Sequence, residues 1–402
     1  MKKKSLICMF LLGLLCSFNV KAQVISGAQV ISVTFPQSVN YFTSLSDNGL
    51  WATVGGTDPD NTTIYAYPYL CNAQTGELIE LWEGNNVVGI ANDVTNDGKI
   101  VVGVYNNGPA YYDVDQKKWI QLEGKGIPTC ITPDGKRIAG YYMGGDDGSG
   151  QGQSNEYPVV WDLEDGKYVY HEVSGKNGLY AETFPNRDKN NNLTQMFRIE
   201  NMSADGKILA GAINFVYVNN ACYYVFNTET GETKYVDNLC FDSPSGGHID
   251  FSNMSNNGAY LTGNAWVIQG DEYTSAYRMD IANGTAELYN TYADEQDRAG
   301  QAVSNTGTVF ASSPAVNVVR YMYIKHGKLW LGLDEIMQGR YGINIYDKIN
   351  QETTGYAVDV SDDEKVLLAM SAPTATGYII RLPETFSESA SHIDPFDSYT
   401  VD

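Results

Sequence analysis

Short apolar runs recur along the chain, and the same polar phrase introduces each one: a small hydroxyl residue, a polar pair, then Gly. The phrase reads Ser46-Asp47-Asn48-Gly49, Thr95-Asn96-Asp97-Gly98, Thr132-Pro133-Asp134-Gly135, Ser203-Ala204-Asp205-Gly206, Ser255-Asn256-Asn257-Gly258 and Ser304-Asn305-Thr306-Gly307. A seventh copy, Ser361-Asp362-Asp363-Glu364, carries Glu where the others have Gly. The copies are spaced by 49, 37, 71, 52, 49 and 57 residues, on average about 52, a propeller blade with its loops. Asp or Asn accepts nearby amide hydrogens and Gly supplies a positive φ, so the phrase predicts a tight hairpin. The flanking runs 99–103, 137–140, 207–211 and 260–263 are short, β-prone and end in Gly, as inner strands crowded near an axis do. Further strands are predicted at 110–114, 118–122, 159–163, 223–226 and 277–281, which gives four strands per unit. Helical periodicity is almost absent; residues 333–346 form the one segment suited to a helical turn.

The seventh unit supplies three strands, at 356–360, 365–370 and 378–382. The run Val30–Phe35 precedes the first phrase and has no unit of its own. Paired into the last blade, it closes the ring and leaves no open edge. The expected fold is therefore all-β: a seven-bladed β-propeller closed by an N-terminal strand in the last blade. A six- or eight-bladed ring, or two sandwiches, are the alternatives.

The phrase Thr132-Pro133-Asp134-Gly135-Lys136-Arg137-Ile138-Ala139-Gly140 resembles the repeat of TolB-like propellers. The stretch 302–307, continued through 320–324 and 327–330, is similar to HAF-type extracellular repeats. The resemblance implies a propeller that binds or scaffolds, and it implies no single reaction.

The N-terminus changes the picture of where the protein works. Lys2, Lys3 and Lys4 precede an uncharged, mostly apolar stretch from 5 to 18, and Val20-Lys21-Ala22 offers small residues for cleavage. This is the pattern of an export signal, too short to span a bilayer. The organisation expected is a signal peptide over 1–22, the propeller over 23–382 and an acidic tail over 383–402. A lipoprotein would need Cys16 in a lipobox, and Leu15 is a poor fit to one. The expected location is the periplasm or the cell surface. Removing 1–22 takes away four lysines and no acids, so the net charge moves from −22 to −26. So acidic a surface disfavours nucleic acid and anionic lipid. A protein or glycan partner, no membrane span and a monomer are expected.

Candidate chemistry is sparse. Four cysteines remain in the mature chain, none in C-x-x-C spacing. Cys222 and Cys240 stand symmetrically about Gly231, which predicts a disulfide across a hairpin. No nucleotide, P-loop or G-x-S-x-G fingerprint is present, and no cofactor or metal is expected. The histidines His171, His248, His326 and His392 show no ligand spacing. Asp188, Asn190 and Asn192 alternate like the start of a calcium loop, but Leu193 and Ile199 occupy the positions that need Gly and a carboxylate. Ser46–Trp51 resembles a sialidase box without its spacing.

In such a blade the repeated turn joins the first two strands on one face of the disc. The long insertions at 143–157, 172–198, 242–250, 269–274, 289–300 and 334–346 fall on the other face. Partner contacts are therefore expected there, from Asp188, His248, Asp250, Trp266, Asp271 and Glu272. A non-catalytic binding or scaffolding propeller is the first reading. A glycan-processing hydrolase or lyase using acids on that face is the alternative.

Overall fold

The computed structural model describes residues 24–393 apart from 38–39, 61–63, 83, 85–86, 147–153, 175–176, 185–197, 214–221, 236–248, 270, 290–298, 314–320, 328 and 372–375. The strands form seven four-stranded sheets. A first strand, β1 (Gln29–Thr34), precedes blade one, which is β2 (Tyr41–Leu45), β3 (Trp51–Gly55), β4 (Tyr69–Asn72) and β5 (Leu78–Glu80). Blade two is β6 (Gly89–Val94), β7 (Ile100–Tyr105), β8 (Gly108–Asp113) and β9 (Lys118–Gln121). Blade three is β10 (Ile127–Ile131), β11 (Arg137–Asp146), β12 (Ser154–Glu164) and β13 (Lys167–Glu172). Blade four is β14 (Asn201–Met202), β15 (Ile208–Ile213), β16 (Cys222–Asn227) and β17 (Thr233–Tyr235). Blade five is β18 (Ile249–Met254), β19 (Tyr260–Gln269), β20 (Asp271–Asp280) and β21 (Thr285–Leu288). Blade six is β22 (Ala299–Val303), β23 (Val309–Ser312), β24 (Met322–His326) and β25 (Leu329–Gly332). Blade seven is β26 (Tyr356–Val360), β27 (Val366–Met370) and β28 (Thr376–Arg381), completed by β1. The innermost strand of each blade packs on that of the next, and β26 returns to β2, so the sheets form a ring. The chain is a seven-bladed β-propeller.

Closure follows the expected route. β1 pairs antiparallel with β28, from Gln29 opposite Arg381 to Thr34 opposite Thr376. β27 is buried along its whole length, because blades cover both of its faces. That explains its unbroken apolar sequence Val366-Leu367-Leu368-Ala369-Met370.

The repeated phrase works through its hydroxyl. In six copies the buried Ser or Thr accepts the amide five residues on: Trp51 N reaches Ser46 Oγ at 3.0 Å, and Ile208 N reaches Ser203 Oγ at 2.9 Å. The same hydroxyl donates to the side chain two residues on, as Thr95 does to Asp97 at 2.7 Å and Ser361 to Asp363 at 2.7 Å. The Ser304 turn is one residue tighter, with Thr308 N at 3.1 Å. Gly49 and Gly98 hold φ of 68° and 72°, the left-handed region that favours Gly.

Adjacent turns are also bonded to one another. Asn48 N donates to Asn96 Oδ1 at 2.9 Å, Asn96 N to Pro133 O at 3.0 Å, and Asp362 N to Asp47 O at 2.7 Å. Alternate blades add an arginine strut to the next turn's glycine carbonyl. Arg137 Nη1 meets Gly206 O at 3.0 Å, Arg278 Nη1 meets Gly307 O at 3.1 Å, and Arg381 Nη1 meets Gly49 O at 2.7 Å.

Among the described residues, three short helices decorate blades six and seven. α1 (Leu333–Tyr341) occupies the segment expected to hold a helical turn, and α2 (Ile345–Ile349) begins at its end and runs past it. α3 (Phe386–Ser391) lies in the stretch read as an acidic tail. It is no free tail over that length: Phe386 and Ala390 are fully buried, and the Phe386 ring meets Phe310 edge-on at 5.4 Å. Two isolated apolar positions among polar ones gave no periodic signal.

Two expected insertions prove to be extended hairpins. β11 and β12 run to Asp146 and restart at Ser154, while β19 and β20 run to Gln269 and restart at Asp271. The β-prone residues of both arms, including Trp266, Val267, Ile268 and Tyr273, carry the ladder past the blade body. The hairpin β16–β17 is centred between Glu229 and Thr230, with Tyr224 opposite Tyr235, and not on Gly231. Symmetry about Gly231 is thus not the strand register. Cys240, and with it the expected Cys222–Cys240 disulfide, lies outside the described residues.

Candidate functional site in the central channel

Six innermost strands carry a register shift near their repeated turn: between Phe42 and Ser44, Ala91 and Asp93, Pro128 and Cys130, Phe251 and Asn253, Gly300 and Ala302, and Ala357 and Asp359. Such a bulge places one extra residue and re-aims the next side chain. The extra residues of the first three blades tie their seams. Thr43 Oγ1 donates to Ala91 O at 2.7 Å, Asn92 Nδ2 to Pro128 O at 2.6 Å, and Thr129 Oγ1 to Ile199 O at 2.8 Å.

The re-aimed side chains meet around the axis. Ser44 Oγ donates to Asp93 Oδ1 at 2.8 Å and lies 3.5 Å from Asp359 Oδ2. Asp93 Oδ2 accepts Ile131 N at 2.8 Å, and Asp359 Oδ2 accepts Leu45 N at 3.0 Å. Asn253 Nδ2 reaches Asp359 Oδ1 at 3.4 Å. It spans from blade five to blade seven. A polar chain thus links blades five, seven, one, two and three across the channel.

A cavity of about 140 Å³ adjoins this chain. Its lining includes Asp47, Asp93, Asp359, Glu200, Asn253 and Cys130, together with the turn residues Pro133, Ala204 and Asn256. It therefore lies at the repeated-turn end of the channel, opposite the face assigned to the insertions. Burial pushes the Asp47 carboxyl up to about 8, reinforced by Asp362, Asp93 and Asp359. Burial likewise raises Asp93 to about 7 and Asp359 to about 6, opposed in each case by amide and hydroxyl donors. Asp47 Oδ2 is buried and meets no donor among the described residues. Burial also raises the Cys130 thiol, so it is no ready nucleophile. Among the described residues no three His, Cys, Asp or Glu side chains are grouped to hold a metal ion.

The carboxylates of Asp93 and Asp359 are committed to backbone amides of the following blades, which makes them blade-to-blade ties. Asp47 keeps one oxygen uncommitted. These positions were not singled out from sequence, although a signal existed. Each lies two residues before the repeated hydroxyl (Ser44, Asp93, Asn253, Asp359) or one after it (Asp47). Of the residues expected to make contacts, Asp188 and His248 lie outside the described residues. Asp250, Trp266, Asp271 and Glu272 lie on the described strands β18, β19 and β20, with side chains outside the description. Trp266 stands opposite Thr274, and Glu272 opposite Ile268.

No protein-family model matches the chain, and no curated protein matches it. Solved structures do. Hydrazine synthase from Kuenenia stuttgartiensis superposes with a TM-score of 0.50 at 14% identity, over 87% of this chain and 97% of that one. An oligogalacturonate lyase from Vibrio parahaemolyticus gives 0.50 at 14% identity, over 90% and 99%. TolB from Acinetobacter baumannii is also matched, at a TM-score of 0.39 and 13% identity, over 84% of this chain and 65% of that one. At these identities the likeness is one of fold. Among the described residues no helix is long and apolar enough to cross a membrane.

Proposed function

We propose that the protein is an exported, non-catalytic propeller that binds or scaffolds a protein or glycan partner through the face bearing its long hairpins. One observation carries this reading. β11, β12, β19 and β20 are 10, 11, 10 and 10 residues long, whereas among the described residues no other strand exceeds six. A blade needs no such extension for its own packing. Blades three and five thus raise two hairpins on one side of the disc, where edge backbone and alternating side chains are available to a partner. The contacts proposed for this face are Asp188, His248, Asp250, Trp266, Asp271 and Glu272, of which Asp250, Trp266, Asp271 and Glu272 lie on β18, β19 and β20. The test is to shorten each hairpin to blade length, verify folding by thermal melting, and measure binding to arrays of glycans and surface proteins. Loss of a wild-type signal in either variant supports the reading; retention in both overturns it.

Asp47 favours a second reading, glycan cleavage. Burial raises the Asp47 carboxyl to about 8, and its buried Oδ2 meets no donor among the described residues, which suits a general acid near neutrality. Polysaccharide breakdown abolished by Asp47→Asn in a folded protein would select this reading.

A further inference from the structure

The face that bears the long hairpins also carries a group of aromatic rings where blades seven and one meet. Tyr41 opens β2 and Tyr356 opens β26, and these innermost strands pack on each other, so both rings stand at the channel mouth on that face. Tyr65 and Tyr67 lie in the crossover from β3 to β4, and Trp82 leaves β5 toward β6, which puts all three on the same side. Tyr41, Tyr67, Trp82 and Tyr356 are each half-buried against one apolar cluster shared by the two blades. Tyr65 is 44% exposed. Burial, and then the neighbouring Tyr65 and Tyr356 hydroxyls, push the Tyr41 phenol above its ordinary range, as three phenols set close together would.

The rim is held in shape by its backbone. Tyr67 takes φ of 60°, which a bulky side chain rarely adopts. Its N–H donates to Val87 O at 2.8 Å, and its carbonyl accepts Asn40 Nδ2 at 3.1 Å. Asn40 is itself buried and also donates to Gly55 O at 3.2 Å. The Tyr67 ring stands across Trp82, at 6.0 Å and 88°, and Tyr69 meets the same indole at 5.0 Å and 83°. Backbone strain of this kind persists where the surroundings hold a side chain in place. Rings fixed in this way lose little freedom when a ligand arrives.

Charge narrows what the rim can take. The sequence holds no Lys, Arg or His between Lys21 and Lys99, and none between Lys348 and Lys365, so the segments that build the rim bring no cation to it. They bring acids instead: Thr57 bridges Tyr65, and Asp58 N donates to Ile64 O at 2.8 Å, which sets the Asp58 carboxyl in the same crossover as the exposed ring. An anionic ligand is repelled there. A lipid chain or an apolar peptide would cover phenol hydroxyls without bonding them, which is costly. A neutral sugar presents a C–H face to a ring and hydroxyls to the phenols around it, and so matches side chains with an apolar body and a polar tip.

We propose that this rim binds a neutral glycan, with one sugar ring stacked on Tyr65 beside the Tyr41 phenol. The proposal rests on the reading that the hairpin face is the binding face, and it fixes the partner there as an uncharged carbohydrate. Calorimetric titration of the purified protein with cellohexaose, xylohexaose, mannohexaose and maltohexaose tests it, with polygalacturonate as the acidic control. At least one neutral hexasaccharide should bind saturably, with an affinity that does not change as salt rises, while polygalacturonate does not bind. Tyr65→Ala, a change at an exposed ring, should weaken that binding at least tenfold, and Tyr65→Phe, which keeps the ring, should weaken it less. No binding of any neutral hexasaccharide, equal affinity in Tyr65→Ala and the parent, or tighter binding of polygalacturonate would each overturn the proposal. If any of these is found while shortened hairpins still lose their partner on the arrays, the sugar site falls and the reading of the face stands. If shortened hairpins keep their partner as well, both fall.

Discussion

Ser44 donates its hydroxyl to Asp93 across the seam between blades one and two, at 2.8 Å, and its other near neighbour is Asp359 of blade seven. One small side chain thus stands between two buried carboxylates where the ring closes. Asp359 also takes the Leu45 amide, so the closing seam is held from inside by this acid and from outside by β1.

Replacing Asp359 by Ala removes the acceptor for Leu45 N and Val360 N. Leaving buried amides without partners costs about 1–3 kcal/mol. Urea denaturation should show this loss, and Asp359→Asn, which keeps one oxygen, should show less. Equal stability of Asp359→Ala and the parent would contradict the tie.

The buried acids also set a pH dependence. Asp47 is raised to about 8 and Asp93 to about 7, so the folded state holds protons that the unfolded chain releases near the ordinary carboxylate range. Stability from these groups is full below that range and is lost as pH rises through about 7 to 8. The urea midpoint should fall from pH 5 to pH 9, and Asp47→Asn should flatten the fall. The same slope in parent and variant would remove Asp47 from the account.

Glu364 occupies the Gly position of the seventh turn with φ of 55°. Its carboxylate accepts Ser304 Oγ at 2.8 Å, Thr306 Oγ1, and Ser387 N at 2.8 Å. The strain of a left-handed residue, about 1–2 kcal/mol, is offset by bonds to a charged group worth about 1.5–3 kcal/mol each. Glu364→Gly restores the common turn yet should destabilise the protein and raise hydrogen exchange in α3. A more stable Glu364→Gly protein would show that the clamp contributes nothing.

Deleting residues 24–34 removes β1 and exposes the edge of β28. Aggregation or a marked drop in melting temperature is expected, as read by light scattering during a thermal ramp. An equally stable monomer would contradict closure by this strand.

The ring was legible because its signals are local. The phrase of a hydroxyl residue, a polar pair and usually Gly encodes its own hairpin within six residues, and its seven copies count the blades. The unpaired Val30–Phe35 run pointed to closure by the same logic. The channel was not legible, because its chemistry is made by closure: Ser44 and Asp359 are 315 residues apart, and their shared place two residues before the repeated hydroxyl marks a position in the repeat without saying what it meets. Glu364 read as a worn copy of the turn, since its partners Ser304 and Ser387 come from another blade and from α3. The long hairpins at 143–157 and 269–274 read as loops because turn-forming glycines and acids hid strand-forming arms.

Hydrogen exchange on the protein with a partner selected from the binding panel tests the central claim most directly. Slowed exchange in the distal parts of β11–β12 and β19–β20, with the repeated turns at 46–51 and 255–260 unchanged, is the result predicted. Protection confined to those turns and the channel acids, with both hairpins unchanged, would contradict it.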